Sequence, residues 1–279
     1  MRVSITQLKE MKQRGEKIVV LTAYDYPTAQ MVERAGVPVI LVGDSLGNVV
    51  LGYESTLPVT MDEMLHHTKA VTRAVKNVLV VGDMPFMSYQ VSADEALRNA
   101  ARFMQEGGAQ AVKLEGGAGM CGTVKRIVDA GIPVMGHIGL TPQSIYQLGG
   151  FKAQGKTVEA AKQLVADAKA LEQAGAFAVV LETIPAELAS FISKQISIPS
   201  IGIGAGAACD GQVQVVSDIL GFFGDFMPKH ARRYAHMADY ICNAVAQYAR
   251  DVTAGDFPAA KESIEMPPNV MQAVMEDPA

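Results

Sequence analysis

Four acidic residues each close a short apolar run: Asp44 after VILVG (39–43), Asp83 after VLVVG (78–82), Glu115 after AVKL (111–114) and Glu182 after AVVL (178–181). Lys113 stands two residues before Glu115, and His137 closes a fifth run, IPVMG (132–136). Brought together, such acids repel one another strongly unless a cation lies among them. Oxygen donors suit a hard ion, Mg2+ above all, and that ion can act as a Lewis acid on a keto oxygen and stabilise an enolate. Each residue also has a plainer reading. Asp44 and Asp83 could cap the helices that follow them, Lys113 could serve only to neutralise Glu115 on its own strand face, and His137 could be a rim histidine. Glutamate is a poorer cap than aspartate, so Glu115 and Glu182 point more firmly to function.

The elements that must position these residues show as a rhythm of apolar runs and helical stretches. Seven runs, at 18–24, 37–45, 77–86, 109–117, 132–140, 176–184 and 198–206, are rich in Val and Ile and apolar on both faces. That pattern belongs to parallel strands buried on both sides, which need crossover helices. An eighth, weaker strand is expected somewhere in VQVVSDILGFF (213–223). Thr60-Met-Asp-Glu63 and Ser92-Ala-Asp-Glu95 read as capping boxes. Gly36, Gly107, Gly131 and Gly175 fall between a helical stretch and a strand, where a left-handed turn ends a helix. Repeated βα units over about 250 residues predict a single-domain (β/α)8 TIM barrel, with its active site at the C-terminal ends of the strands. Before the first strand, Ile5, Leu8 and Met11 share one helical face able to cover the barrel bottom. We assign residues 1–256 to the barrel and 257–279 to a C-terminal tail, with a helix at 270–275 docked on a neighbour. The connection TPQSIYQLGGFKAQGKT (141–157) has a length and position that suit a lid. GIGAG (202–206) lacks the GxGxxG of a nucleotide fingerprint and serves close packing or close approach to a ligand instead.

Bulk properties narrow the classes. The chain has 279 residues, 49% of them hydrophobic, and a net charge of −5 with no long basic block, so no nucleic-acid partner is expected. No apolar run reaches the roughly 18 residues of a membrane span, and the first residues lack a signal peptide's apolar segment, so a cytoplasmic protein without a membrane partner is expected. Cys121, Cys209 and Cys242 are widely spaced and form no CxxC pair, so they read as free thiols.

Several long stretches carry a resemblance: LTAYDYPTA (21–29), LVGDSLGNVVLGYESTLPVT (41–60), GDMPFMSY (82–89), VKLEGG (112–117), GHIGLTPQS (136–144), GGFKAQGK (149–156), VLETIPAELA (180–189) and IGIGAGAACDGQVQV (201–215). With these the chain resembles the ketopantoate hydroxymethyltransferases, TIM-like barrels of the phosphoenolpyruvate/pyruvate superfamily. The resemblance implies transfer of a hydroxymethyl group from the co-substrate 5,10-methylenetetrahydrofolate to 3-methyl-2-oxobutanoate. The product is 2-dehydropantoate, formed through an Mg2+-stabilised enolate on the way to pantothenate and coenzyme A. It implies that Asp44, Asp83 and Glu115 serve the metal, Glu115 directly or through water. It also implies that Asp44, Ser45, Asp83 and Lys113 hold the ketoacid and that Glu182 is the proton acceptor, and it predicts a homo-oligomer, commonly a decamer. Ala153, Ala207 and His230 depart from residues common in the family, and none falls on a proposed metal or base position. Two alternatives remain at this stage. A carbon–carbon lyase or mutase of the same superfamily would share the ion and the enolate and use a cysteine as acid, for which Cys121 is the nearby candidate. A binding protein on the same barrel would reduce the carboxylates to caps and ion pairs.

Overall fold

Buried on both faces, the apolar runs form eight short parallel strands: β1 (Ile18–Thr22), β2 (Val39–Val42), β3 (Leu79–Asp83), β4 (Ala111–Glu115), β5 (Val134–Gly139), β6 (Ala178–Glu182), β7 (Ser200–Ile203) and β8 (Gly211–Gln214). The computed structural model describes residues 2–224 and 227–277. The strands pair in chain order, and β8 pairs with β1 to close the barrel, as expected for a (β/α)8 fold.

Alternation along each strand divides the core in two. Val20, Leu41, Leu79, Val81, Met135 and Val180 belong to an interior cluster. Their neighbours Ile40, Val42, Val80, Val112, Leu114 and Leu181 pack outward against the helices. The N-terminal helix Ile5–Gln13 closes the interior cluster from one end: Leu8 is buried in it, with Ile5 and Met11 packed alongside.

Three local expectations need correction. The eighth strand lies at Gly211–Gln214, ahead of most of the run assigned to it, and Val216–Leu220 is helical. Register explains the shift, because pairing with Ile18–Leu21 and with Ile201–Gly202 selects 211–214 over the more apolar residues that follow. Gly36, Gly131 and Gly175 do take positive φ, but at the fourth joint Gly108 does so and Gly107 does not. Thr60 and Glu63 make a complete capping box, whereas Ser92 contributes only the half in which its hydroxyl accepts from the Glu95 N–H at 3.1 Å.

The helix expected near the chain end is present at Pro268–Glu276. The helix Met237–Ala254 differs from the crossover helices. Among the described residues none of its side chains is buried, and Ile241, Val245, Tyr248 and Val252 form an exposed stripe along it. Cys121, Cys209 and Cys242 are free, as expected.

Gly139 ends β5 at φ 97°, paired with Glu182 of β6. A Cβ there would collide with the Glu182 carbonyl oxygen and come within 2.8 Å of Ile184 Cγ2. Gly139→Ala is therefore expected to destabilise the fold by about 1–3 kcal/mol, through backbone strain and overpacking together. Urea denaturation measures this, and a midpoint equal to that of the parent chain would contradict it.

Candidate active site

Strand alternation gathers the titratable residues by a simple rule. Positions 79, 81 and 83 of β3 share one face, as do 111, 113 and 115 of β4, 135 and 137 of β5, and 178, 180 and 182 of β6. The lower members of these rows form the apolar interior. The upper members, Asp83, Lys113, Glu115, His137 and Glu182, complete the same face at the strand ends. Register sets their neighbours: Asp83 stands beside Lys113 and Glu115 beside His137. Asp44 follows β2 and is brought in by the turn at Gly43–Asp44, so that its own N–H donates to Asp83 Oδ2 at 3.2 Å.

Neither aspartate is a helix cap. The helix Leu46–Val49 begins at Ser45 without a side-chain cap, and the helix after Asp83 starts at Ala93 with Ser92 as its cap. Lys113 reaches across to Asp83, with Nζ 2.7 and 2.8 Å from the two carboxylate oxygens, so its direct partner is Asp83 and not Glu115. The pair is buried, with side chains 5% and 2% exposed. Burial works against the Lys113 charge, but Asp83, Glu115 and Asp44 outweigh it and the ammonium is held protonated. Burial raises Asp83 to about 6 against the pull of Lys113, with Asp44 adding to the rise. Asp44 is also raised, first by burial, then less strongly by Glu115 and against Lys113.

His137 bridges the two glutamates. Its Nδ1 lies 3.4 Å from Glu115 Oε1 and its Nε2 lies 3.1 Å from Glu182 Oε2, close enough for ion pairs, although neither contact has hydrogen-bond geometry. Burial and Lys113 oppose the imidazolium, yet the two carboxylates prevail and raise its pKa to about 9. Glu182 is the accessible member: its side chain is 15% exposed, against 3% for His137. The residue after it, Thr183, has φ 50°, an uncommon conformation for a β-branched residue. Gln154, from the glycine-rich connection, donates its N–H to the Thr183 carbonyl at 3.0 Å, which ties that connection to the end of β6.

The residues fit a hard divalent ion. Four carboxyl groups face one lysine and one imidazolium, an acidic excess that a divalent cation would balance. Among the described residues, buried Glu115 Oε1 has no hydrogen-bond partner. No three His, Cys, Asp or Glu side chains among the described residues are grouped so as to hold an ion by themselves. Mg2+ usually takes one or two carboxylates and keeps water at its other positions, so Asp44 and Asp83 would suffice as its protein donors. Ser45, beside Asp44, has its Oγ 2.9 Å from the Tyr24 hydroxyl.

Two residues of the mouth escaped sequence reasoning. Gln143 and Tyr89 are both buried; Gln143 donates to the Asp44 and Glu115 carboxylates, and Tyr89 donates to Gln143 and accepts from the Glu115 backbone N–H. They lie inside two of the long motifs, GHIGLTPQS and GDMPFMSY, but a neutral polar side chain in a loop carries no chemical signal of its own. The connection expected to be a single lid is divided: Pro142–Ser144 and Ile145–Leu148 form short helical turns that seat Gln143, and only 149–157 lacks regular structure.

Replacing Lys113 by Met leaves Asp83 buried without its cation, a change expected to destabilise the protein by about 3–5 kcal/mol. Adding Asp83→Leu should recover most of that loss, since the unpaired charge is gone. Denaturant titration of the single and double variants tests the coupling, and simple addition of two losses would refute it.

Comparison with known proteins places the chain in a family. The family model described as ketopantoate hydroxymethyltransferase matches residues 2–260. A 3-methyl-2-oxobutanoate hydroxymethyltransferase of Dehalococcoides mccartyi is 64% identical, covering 98% of each chain. One from Syntrophomonas wolfei is 58% identical over 97% of this chain and 98% of its own. Among solved structures, phosphoenolpyruvate phosphomutase from Streptomyces platensis subsp. rosaceus superposes with a TM-score of 0.60 at 18% identity, covering 99% of this chain and 96% of its own. Phosphonopyruvate hydrolase, in complex with oxalate and Mg++, gives 0.59 at 15% identity, covering 99% of both chains. These distant likenesses concern the fold alone. The family match and the near full-length identities go further: the chain belongs to the ketopantoate hydroxymethyltransferase family and is an enzyme with that hydroxymethyltransferase activity.

Proposed function

We propose that the barrel mouth uses 5,10-methylenetetrahydrofolate as one-carbon donor and an Mg2+ ion held by Asp44 and Asp83, with Glu115 joining directly or through water, to convert 3-methyl-2-oxobutanoate into 2-dehydropantoate. The observation that carries this reading is the division of the carboxylates. Asp44, Asp83 and Glu115 are buried around Lys113, while Glu182 stands more exposed on the far side of His137. When bound, the ion would supply Lewis acidity to the keto oxygen and so acidify the neighbouring C3–H.

The chain's own groups do the rest. Lys113 offers a fixed positive charge to the ketoacid, beside the Ser45 hydroxyl that contacts Tyr24. Glu182 takes the proton from C3. Water adds to the methylene carbon of the folate and both of its C–N bonds break, leaving formaldehyde and tetrahydrofolate. The carbanion equivalent at C3 attacks the formaldehyde carbon, and the formaldehyde oxygen takes up a proton to become the hydroxyl of the product. His137, between Glu182 and Glu115, orients the base from behind and keeps the two glutamates from repelling each other directly. The lyase or mutase alternative asks for an acidic cysteine. The connection 141–157 has none.

The expected homo-oligomer, a decamer by resemblance, is supported by the exposed apolar stripe on Met237–Ala254, because a face of that kind is uncommon on a helix left in water. No helix among the described residues is long and apolar enough to cross a membrane.

Glu182→Gln is expected to keep Mg2+-dependent ketoacid binding by calorimetry while exchange of the C3 proton with deuterated water falls by about 10²–10⁴-fold. Exchange at the parent rate would remove Glu182 as the base. A chelator should abolish both exchange and ketoacid binding in the parent enzyme, and added Mg2+ should restore them. Light scattering should give a mass that is a multiple of 29.6 kDa, which Val245→Asp together with Tyr248→Asp should reduce. A monomeric parent chain would refute the assembly.

A further inference from the structure

We infer that Gln143 is a positioning residue for the reaction: it fixes the Asp44 and Glu115 carboxylates relative to each other and acts through them, without itself meeting substrate. The inference rests on the metal-side role proposed above for those two groups.

Gln143 is 4% exposed. Its side-chain nitrogen lies 2.9 Å from Asp44 Oδ2 and 2.9 Å from the Met84 carbonyl oxygen. Its side-chain oxygen lies 2.6 Å from the Tyr89 hydroxyl and 3.2 Å from Gln90 Nε2. Its backbone N–H donates to Glu115 Oε2 at 3.0 Å. The direction of every bond follows from the partners. A backbone carbonyl can only accept, so the amide NH2 must face Met84 and Asp44. Tyr89 already accepts from the Glu115 N–H at 3.1 Å, so its own proton is free to go to Gln143 Oε1. Both donors and both acceptor sites of the amide are thereby used, and a flipped amide would oppose acceptor to acceptor on one side and donor to donor, from Gln90, on the other.

One residue therefore ties the loop after β2, through its side chain on Asp44, to the end of β4, through its backbone N–H on the Glu115 carboxylate. Tyr89 closes the ring from the loop after β3. Gln143 lies in the short helical turn Pro142–Ser144, a few residues beyond the end of β5. Without this brace, no other side chain among the described residues donates a hydrogen bond to the Asp44 carboxylate. A buried amide of this kind is a second support for ion-facing carboxylates, and such supports usually alter ion affinity and turnover together.

The test uses the full-length enzyme with Gln143→Met, which keeps the volume and removes both polar ends, with Gln143→Glu, which turns an acceptor towards Asp44, and with Tyr89→Phe, which removes only the orienting hydroxyl. Mn2+ alone is titrated by calorimetry, kcat and KM for 3-methyl-2-oxobutanoate are measured, and thermal midpoints are recorded. Gln143→Met should weaken Mn2+ binding tenfold or more and lower kcat at least tenfold with a smaller change in KM. Gln143→Glu should be worse, and Tyr89→Phe should move the same way by less. Parent-like Mn2+ affinity and kcat in Gln143→Met would overturn the inference. So would a loss of kcat that disappears at a temperature well below a lowered midpoint, because that marks a purely structural role. If the parent enzyme binds no Mn2+ and turns over in chelator, the metal reading fails on its own, and kcat in Gln143→Met at an unchanged midpoint then decides the role of Gln143.

Discussion

The ion pair of Lys113 with Asp83 is the constraint around which the barrel mouth is organised. A carboxylate this deep loses most of its hydration, and burial alone would drive it to bind a proton. The ammonium on the next strand answers both of its oxygens, and the register of β3 with β4 places the two residues opposite each other. Once Asp83 is held in this way, it can receive the backbone N–H of Asp44, which brings the loop after β2 over the mouth. A buried pair of this kind contributes little net stability compared with an apolar filling, so its presence is better explained by the reaction than by the fold.

Around the pair, charge is distributed in a graded way. Buried aspartates with raised pKa values lie on one side, a histidine held protonated by two glutamates lies in the middle, and a more exposed glutamate stands at the far edge. Groups whose environments differ this much can take different tasks within a few ångströms of one another. The same fold is seen in a phosphoenolpyruvate phosphomutase and a phosphonopyruvate hydrolase. The barrel supplies a mouth at the strand ends, and the side chains placed there decide the reaction.

Much of this is legible in the sequence. Strands buried on both faces must read as continuous apolar runs, and crossover helices must separate them, so seven of the eight strands and the N-terminal plug show in the pattern of Val, Ile and Leu. The strand-end acids show for the same reason, because an ionisable residue directly after an apolar run conflicts with burial unless it has a task. β8 was misplaced because its residues, Gly211–Gln214, alternate polar and apolar, and only pairing with both β7 and β1 selects them. The left-handed position at the joint after Gln105 was also one residue off, since two adjacent glycines are equally permissive and only the path of the chain chooses Gly108.

The sequence by itself thus determined the barrel, the presence of Asp44, Asp83, Glu115 and Glu182 at strand ends, and, through its long motifs, the family. Tertiary structure alone decided how those residues are partnered. Lys113 shares a strand face with Glu115, yet it pairs with Asp83, because cross-strand register brings that carboxylate nearer. His137 joins Glu115 to Glu182, and Gln143 meets Asp44 across 99 residues of chain. Spacing along one strand fixes which face a side chain takes, but its neighbours across the mouth are set by how eight strands close on one another, and that geometry is not written in any local stretch of residues.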